Sequence, residues 1–346
     1  MNRRRNVSIN AAVVLGTAAI IGLVLELAVV PILDDGMQYD LEMWRYARNL
    51  KQVSGNRELG HVHRPNAHAH LMGVDVQTNS LGLRDRDIPM EKRPGTVRIL
   101  MLGDSITFGW GVPADMTMAK RLEKKLQESG LNAEVINAGV GNYNTRMEVA
   151  YFLAAGHKLA PDIVVLNYFV NDAEPIPSYD NGFLEKHLKS YVYFAARWDS
   201  AMRRIGKAGE QKTDWKTYYR ELYDDRVNPG GWSGASMALE RLAQYCRANG
   251  IRLLFVNVPE LRELDPYPFA DISTLLQAKT SHLSIEYLDL LDSVRGEPPA
   301  SLWVTVPDPH PNARAMERFA VAMVEPIRKL IKQGTPKPDR VGSHRQ

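Results

Sequence analysis

Residues 97–108 read Val-Arg-Ile-Leu-Met-Leu-Gly-Asp-Ser-Ile-Thr-Phe, and this stretch decides how the rest of the chain is interpreted. The continuous apolar run from Ile99 to Leu102 is typical of a buried strand in a parallel sheet. The run ends at Gly103, and Ser105 follows almost at once, where open α/β sheets bind their ligands. Because serine is a weak nucleophile without a neighbouring base, the pattern predicts a histidine and oxyanion donors elsewhere in the chain.

Three later segments supply the residue types that such a site needs. A segment near the C-terminus, Val-Pro-Asp-Pro-His-Pro-Asn, contains His310 and, two positions earlier, the carboxylate of Asp308. Another apolar strand pattern, Asp-Ile-Val-Val-Leu-Asn-Tyr-Phe, is followed by the amide side chain of Asn171. Residues 137–145 form a small-residue turn after a third strand, and such a turn can aim backbone N–H groups at a developing negative charge.

Taken in order, these blocks resemble those of the SGNH (GDSL-type) hydrolase family. The first block is matched by residues 103–105, the second by residues 137–145, the third by residues 171–172 and the last by residues 308–310. The resemblance covers roughly residues 96–331. A lone Gly-Asp-Ser is weak evidence, whereas four blocks in the family's order, each after an expected strand, are specific.

The resemblance implies covalent catalysis by a serine. Ser105 is the implied nucleophile, His310 the general base and acid, and Asp308 the carboxylate that orients the imidazole. The family's acid usually lies three residues before the histidine, where this chain has Pro307. The competing interpretation of the serine is a helix N-cap, since a strand-to-helix turn favours one. No cofactor and no metal are expected for this chemistry.

The resemblance also implies an oxyanion hole with three contributions. The backbone N–H of Ser105 is one, and the side chain of Asn171 is another. The third is a backbone N–H of the second block, and both Gly141 and Asn142 stay open for it, because the family's usual glycine position holds the asparagine here. In the third block, Phe169 replaces the glycine that usually lies two residues before the asparagine.

From residue 96 onward strand patterns alternate with helix patterns, which predicts a parallel sheet with helices on both faces. The resemblance specifies an α/β fold: a three-layer α/β/α sandwich around a five-stranded, mainly parallel sheet, of the SGNH-hydrolase, flavodoxin-like kind. The predicted strands cover residues 97–102, 133–137, 162–169, 251–258 and 284–290, and the predicted helices cover residues 117–129, 145–158, 236–249 and 312–331.

The N-terminus predicts a membrane anchor. Three arginines, residues 3–5, precede a stretch over residues 11–33 in which Glu26 is the charged residue. This length suffices to cross a bilayer, and the arginines favour a cytoplasmic N-terminus. For a Gram-negative bacterium this means a single-pass inner-membrane protein with its catalytic part in the periplasm or outside. A cleavable signal peptide and a buried soluble helix are the alternatives.

These patterns divide the chain into four parts. Residues 1–33 are the basic tip and transmembrane anchor, and residues 34–95 a juxtamembrane segment with small α/β elements. Residues 96–332 are the hydrolase domain, with an insertion at about 173–235, and residues 333–346 are a polar tail that we expect to be disordered. The insertion is rich in aromatic residues interleaved with Lys and Arg, which fit either a substrate wall or the apolar faces of helices.

Composition excludes some classes of function. The chain has 346 residues, 45% of them hydrophobic, and a net charge of +3, so nothing points to a nucleic-acid partner. The one cysteine, Cys246, falls in a helical pattern and is expected to be a small buried residue. His61, His63, His68 and His70 alternate in a way that fits a metal site or a polar edge strand, and their role stays open.

The sequence therefore predicts a serine esterase that removes O-acyl groups, with O-acetyl favoured, from a carbohydrate or cell-envelope substrate. Two alternatives remain: an O-acyltransferase that uses the same site on an exported polysaccharide, and a non-catalytic assembly or glycan-binding protein on the same scaffold. No Gly-x-Ser-x-Gly elbow, Gly-x-Gly-x-x-Gly turn or Walker loop is present, which argues against α/β-hydrolase, dinucleotide and ATP enzymes. The oligomeric state is left undetermined.

Overall fold

The computed structural model describes residues 2–176, 182–206, 214–306 and 308–333. The chain forms two compact units. The first comprises Met1–Asn49, Leu71–Gly73 and Asp180–Lys212, and the second comprises Leu50–His70, Val74–Tyr179 and Thr213–Gln346. Pro307 and nearly all of the predicted disordered tail lie outside the described residues.

The secondary structure alternates over most of the second unit. The helices are α1 Asn2–Val24, α2 Val30–Leu33, α3 Tyr39–Leu50, α4 Ser105–Phe108, α5 Met118–Glu128, α6 Thr145–Ala154, α7 Phe183–His187, α8 Lys189–Gly206, α9 Trp215–Glu221, α10 Trp232–Ala248, α11 Ala270–His282, α12 Leu291–Val294 and α13 Ala313–Lys332. The strands are β1 Lys51–Val53, β2 His61–His63, β3 His68–Leu71, β4 Val74–Gln77, β5 Val97–Gly103, β6 Ala133–Gly139, β7 Ile163–Tyr168, β8 Arg252–Asn257, β9 Glu286–Asp289, β10 Trp303–Thr305 and β11 Asp308–Pro311.

The core of the second unit is a five-stranded sheet in the order β6-β5-β7-β8-β9, with every neighbouring pair parallel. Alternate residues of β5 enter two different apolar clusters: Ile99 and Met101 pack with α5 and α13, whereas Leu100 and Leu102 pack with α6 and α10. Helices thus cover both faces, and the predicted three-layer sandwich is confirmed. Parallel order also brings the carboxyl ends of β5, β6 and β7 to one edge.

One helix of this sandwich is missing from the sequence prediction. Helix α11 buries Ile272, Leu276 and Thr280, which is about one residue per turn. Such a narrow buried stripe gives a weak periodic signal, because an amphipathic helix usually shows three or four apolar residues in two turns. The remaining strands form the two-stranded pairs β1-β2, β3-β4 and β10-β11.

The first unit contains a long apolar helix. From Ser8 to Leu33 one helical run, with a π-helical turn at Leu25–Val29, is long and apolar enough to cross a membrane. This statement concerns length and composition, and an N-terminal signal sequence has the same properties. The Glu26 carboxylate accepts hydrogen bonds from the backbone N–H groups of Lys189 and Ser190, at 3.1 and 2.8 Å. The partly buried carboxylate in the apolar run thereby lies at the N-terminus of α8.

Candidate active site

The turn after β5 leaves the hydroxyl of Ser105 available. Helix α4 begins at this serine, and its N-cap is Asp104, whose carboxylate accepts a 2.8 Å hydrogen bond from the N–H of Ile106. The alternative that Ser105 is the N-cap is therefore wrong, because the preceding aspartate fills that role.

Ser105, His310 and Asp308, which we call the triad, lie in one hydrogen-bonded chain. The serine Oγ lies 2.9 Å from Nε2 of His310, although the two residues are 205 positions apart in sequence. On the other side of the imidazole, Nδ1 lies 2.5 Å from Oδ1 of Asp308. A carboxylate can only accept, so the proton is on Nδ1, and Nε2 is left as the acceptor for the serine hydroxyl.

The unusual spacing of the acid follows from the local backbone. Asp308 and His310 both lie in the short strand β11, and residues two apart in a strand point to the same side. A spacing of two residues in a strand therefore brings the carboxylate and the imidazole together, so the family's usual spacing of three is not needed here. The expected departure from the family pattern does not break the hydrogen bond.

Asp308 is buried and has a second donor. The indole Nε1–H of Trp110 donates to its Oδ2 at 2.9 Å, and the backbone N–H of His310 lies 3.1 Å from its Oδ1. Burial alone raises the pKa of Asp308, but the hydrogen bonds and charge of His310, together with Trp110, outweigh burial and hold the pKa below its ordinary value. The sequence did not predict a role for Trp110, and its closeness to Ser105 in the chain was the available signal.

The predicted oxyanion residues lie at the ends of the strands that flank β5. Gly141 and Asn142 follow β6, and Asn171 lies in the single 3₁₀ turn Val170–Ala173 after β7. Asn142 adopts a left-handed backbone, with φ of 66°, which asparagine tolerates better than most residues. The Oδ1 atom of Asn171 is buried without a hydrogen-bond partner among the described residues.

Strand β6 and helix α4 are in close contact at Gly139. A Cβ atom on this glycine would lie 2.1 Å from the backbone nitrogen of Phe108. This contact requires glycine, because no side chain fits between two backbones at that distance. The buried guanidinium of Arg84 also donates to the carbonyl oxygens of Phe108 and Val112, at 2.9 and 2.6 Å. The turn that carries Ser105 is therefore held both by the backbone of β6 and by the side chain of Arg84.

Three carboxyl groups are buried at this sheet edge: Asp104, Asp172 and Glu148 of α6. Neither carboxyl oxygen of Glu148 has a hydrogen-bond partner among the described residues, whereas Asp172 accepts from the Thr145 hydroxyl at 2.9 Å. Burial first, and then the charges of Asp172 and Asp104, raise the pKa of Glu148 well above its ordinary value. Burial likewise raises the pKa values of the two aspartates. The carboxyl of Glu148 therefore ionises less readily than that of an ordinary glutamate.

Phe169, at the family's glycine position, packs against an aromatic residue of the insertion. Its ring lies 6.1 Å from that of Tyr219, edge to face. Further along, the hydroxyl of Tyr223 lies 2.7 Å from that of Tyr168, and Trp232 packs on the same apolar cluster. These aromatic residues of the insertion pack on the core, which fits their interpretation as the apolar faces of helices.

His61 and His63, in β2, are buried, and each donates a ring N–H to a backbone carbonyl. The acceptors are Gly141 for His61, at 2.9 Å, and Gly82 for His63, at 3.1 Å. Burial lowers the pKa of His61 to about 2 and that of His63 to about 3, so both rings are neutral. Within residues 2–176, 182–206, 214–306 and 308–333, no group of three or more metal-ligating residues is found.

A parallel sheet with helices on both faces, carrying a serine–histidine pair at its carboxyl edge, defines an α/β/α hydrolase. A sequence model of the GDSL-like Lipase/Acylhydrolase family matches residues 101–318. The chain belongs to this family, as the four sequence blocks indicated, and it is an ester-bond hydrolase. Comparison with curated proteins finds no match.

Solved structures of similar fold include several esterases. The chain is similar to TesA, at 17% identity and a TM-score of 0.45, with 67% of this chain and 99% of that chain covered. It is also similar to the esterase EstA from Pseudoalteromonas sp., at 15% identity, a TM-score of 0.43 and coverage of 68% and 98%. A third is a two-domain esterase active on acetylated mannans, at 15% identity, a TM-score of 0.42 and coverage of 70% and 52%. The family assignment rests on the matched residues 101–318.

Proposed function

We propose that the chain is a serine esterase that removes O-acyl groups, preferentially O-acetyl, by way of an acyl-enzyme at Ser105. The observation that carries the proposal is the hydrogen-bonded chain from the Ser105 hydroxyl through His310 to the buried carboxylate of Asp308. A non-catalytic scaffold has no need of this arrangement, and the arrangement is present although Asp308 lies two residues before the histidine instead of the family's usual three.

The chemistry has two symmetrical halves. In the first, Nε2 of His310 takes the serine proton while Oγ attacks the ester carbonyl, and the imidazolium then protonates the leaving alcohol. In the second, the same nitrogen activates a water that attacks the acyl-enzyme and releases the acid. Asp308, ionised because its pKa is held low, stabilises the imidazolium and keeps the proton on Nδ1.

The tetrahedral intermediates carry a negative oxygen that needs donors. The proposed donors are the backbone N–H of Ser105, a backbone N–H at Gly141 or Asn142, and the side-chain amide of Asn171. Their positions after β5, β6 and β7 support this assignment, because adjacent parallel strands deliver their following residues to one edge. Loss of one such donor typically lowers kcat by about 10²- to 10³-fold.

The substrate is proposed to be an acylated carbohydrate or other cell-envelope component. The apolar helix over Ser8–Leu33, with three arginines before it, supports a single-pass anchor in the bacterial inner membrane through residues 11–33 and a catalytic domain in the periplasm or outside. The proposed domain boundaries at residues 33, 95 and 332 follow from the same assignment. Acyl groups on exported glycans are among the esters that an enzyme in this location would encounter.

The test is an assay of the full-length protein in detergent micelles. We expect hydrolysis of p-nitrophenyl acetate, faster than of long-chain esters, together with covalent labelling by a fluorophosphonate. Absence of both turnover and labelling in the folded protein would contradict the proposal. If an added oligosaccharide diverts the acetyl group from water to a sugar hydroxyl, the acyltransferase alternative is the correct one.

A further inference from the structure

The peptide unit between Gly141 and Asn142 is held from one side by a hairpin outside the family-matched region. The hairpin, strands β1 and β2, pairs Lys51 with His63 and Val53 with His61. Opposite residues, and residues two apart, share a face of a hairpin, so Lys51, His61 and His63 lie on the same side. Lys51 and His63 are buried there, as is His61.

Two side chains of this face bind one carbonyl oxygen. The ammonium of Lys51 donates to the oxygen of Gly141 at 2.7 Å, and Nε2–H of His61 donates to the same oxygen at 2.9 Å. Lys51 also donates to the side-chain Oδ1 of Asn142, again at 2.7 Å. The tautomer of His61 is settled by its partner, since a carbonyl oxygen only accepts.

The hairpin is attached to the loop by packing as well. Leu59 and Val62 of the hairpin pack with Val140 and Tyr143 of the loop in one apolar cluster. The Tyr143 hydroxyl donates to the carbonyl of His61 at 2.6 Å, and the two rings meet edge to face at 5.1 Å. The contact is therefore an extended one, and the loop cannot turn its peptide without breaking it.

Fixing the carbonyl fixes the amide of the same peptide unit. In a planar trans peptide the N–H points opposite to the C=O, so the N–H of Asn142 points away from the hairpin. That N–H donates to no residue among those the structure describes. The adjacent residue Val140 is hydrogen bonded to Gly103, at 3.0 Å, so this loop lies against the strand end that carries Ser105.

We infer that Lys51 and His61 are positioning residues that orient the Gly141–Asn142 peptide, so that the N–H of Asn142, rather than that of Gly141, serves the oxyanion. The inference rests on the proposed esterase function. Hydrogen bonds to the carbonyl also polarise the peptide and strengthen its N–H as a donor. The bond from Lys51 to the Asn142 side chain further stabilises the left-handed backbone at the position where relatives carry glycine.

The burial of Lys51 supports this role. Its two oxygen partners in the loop are neutral, and burial lowers the pKa of the ammonium to about 7. His61 and His63 lie near it on the same face of the hairpin, and burial keeps both rings neutral. A lysine in such a place is costly to the fold, which is the usual situation for a group retained for function.

The experiment compares Lys51→Met with Lys92→Met in full-length protein in detergent. Lys51→Met keeps the length and removes the donor, and we expect kcat for p-nitrophenyl acetate to fall about 10- to 100-fold with KM nearly unchanged. The adduct of phenylboronic acid with Ser105 would place an oxygen in the proposed oxyanion hole. We therefore expect its inhibition constant to rise by a similar factor. Lys92 pairs with Asp162 at the opposite edge of the sheet, and its variant should match the wild type.

Wild-type kcat and boronate affinity in folded Lys51→Met would overturn the inference. If that variant does not fold, His61→Phe decides, since it keeps the ring contact with Tyr143 and removes only the N–H. We expect a fall in kcat of about 3- to 10-fold there, and no change would overturn the inference as well. Failure of the proposed function is a separate result: the wild type itself would show neither turnover nor fluorophosphonate labelling.

Discussion

The two sides of the site are held by different parts of the chain. The triad lies within residues 101–318, which match the family, and is linked by short hydrogen bonds between its own members. The Gly141–Asn142 peptide also lies within that range, but Lys51 and His61, which bind its carbonyl, do not. The family pattern thus covers the proposed reacting groups, whereas the proposed oxyanion donor is oriented by a hairpin that precedes the matched residues.

Removing the nucleophile tests the triad side most severely. Ser105→Ala should reduce kcat by on the order of 10⁶-fold and abolish fluorophosphonate labelling, because it removes the hydroxyl that lies 2.9 Å from Nε2 of His310. Circular dichroism of the variant should match that of the wild type. Persistent labelling would show that another residue is the nucleophile, and the triad would then no longer be one side of the comparison.

The next effect concerns the acid. Asp308→Asn should lower kcat by about 10⁴-fold, because the amide can present an N–H to Nδ1 and favour the tautomer whose Nε2 is already protonated. A stopped-flow assay with a chromogenic ester measures this change. A loss below tenfold would indicate that another carboxylate orients His310.

A smaller effect is expected for the indole that holds Asp308. Trp110→Phe removes one hydrogen bond to the carboxylate, so its pKa should rise and kcat should fall by about tenfold. The matched control is Trp44→Phe, which removes an indole hydrogen bond of the same length to the carbonyl of Glu185 in the first unit. Equal activities of the two variants would mean that Trp110 contributes packing alone.

The smallest effect concerns stability at the base of the site. The folded pKa of Glu148 lies above its unfolded value, so its contribution to stability is complete below about pH 4.5 and is lost as the pH rises through the folded pKa. Glu148→Gln cannot ionise, and its melting temperature should exceed that of the wild type increasingly toward pH 9, by about 2–4 °C.

Glu123→Gln is the control of opposite sign. Burial alone raises the pKa of Glu123, but its hydrogen bond from Arg86 and the charges of Lys120 and Arg86 hold the pKa below its ordinary value. That variant should melt lower than the wild type at neutral pH, and the difference should shrink as the pH falls toward 4. If the melting temperatures of both variants respond to pH alike, the raised pKa of Glu148 is wrong.

The sheet and the order of the site residues could be predicted because their signals are local. Buried parallel strands are continuous apolar runs, so residues 97–103 directly predict that β5 is buried and that it ends just before Ser105. Helix α11 could not be predicted in the same way, since it buries too few residues per turn. The membrane location, the domain boundaries and the catalytic roles stay predictions.

The supporting contacts could not be predicted because they join distant positions. Lys51 is 90 residues from Gly141, and Trp110 is 198 residues from Asp308. Their sequence neighbourhoods show only a lysine after a helix and a tryptophan between glycines, patterns that occur for many reasons. In the sequence, His61 belongs to the alternating histidines that fit a metal site. Only the fold shows that its ring binds the carbonyl of Gly141.

The contact at Gly139 limits how this enzyme can be diversified. Since the backbones of β6 and α4 are in contact there, even alanine would push the turn that carries Ser105 away from its neighbouring strand. Directed evolution toward bulkier acyl groups therefore cannot use substitutions at Gly139. New room must come from side chains around the site, and a library that randomises Gly139 should return glycine from every active clone.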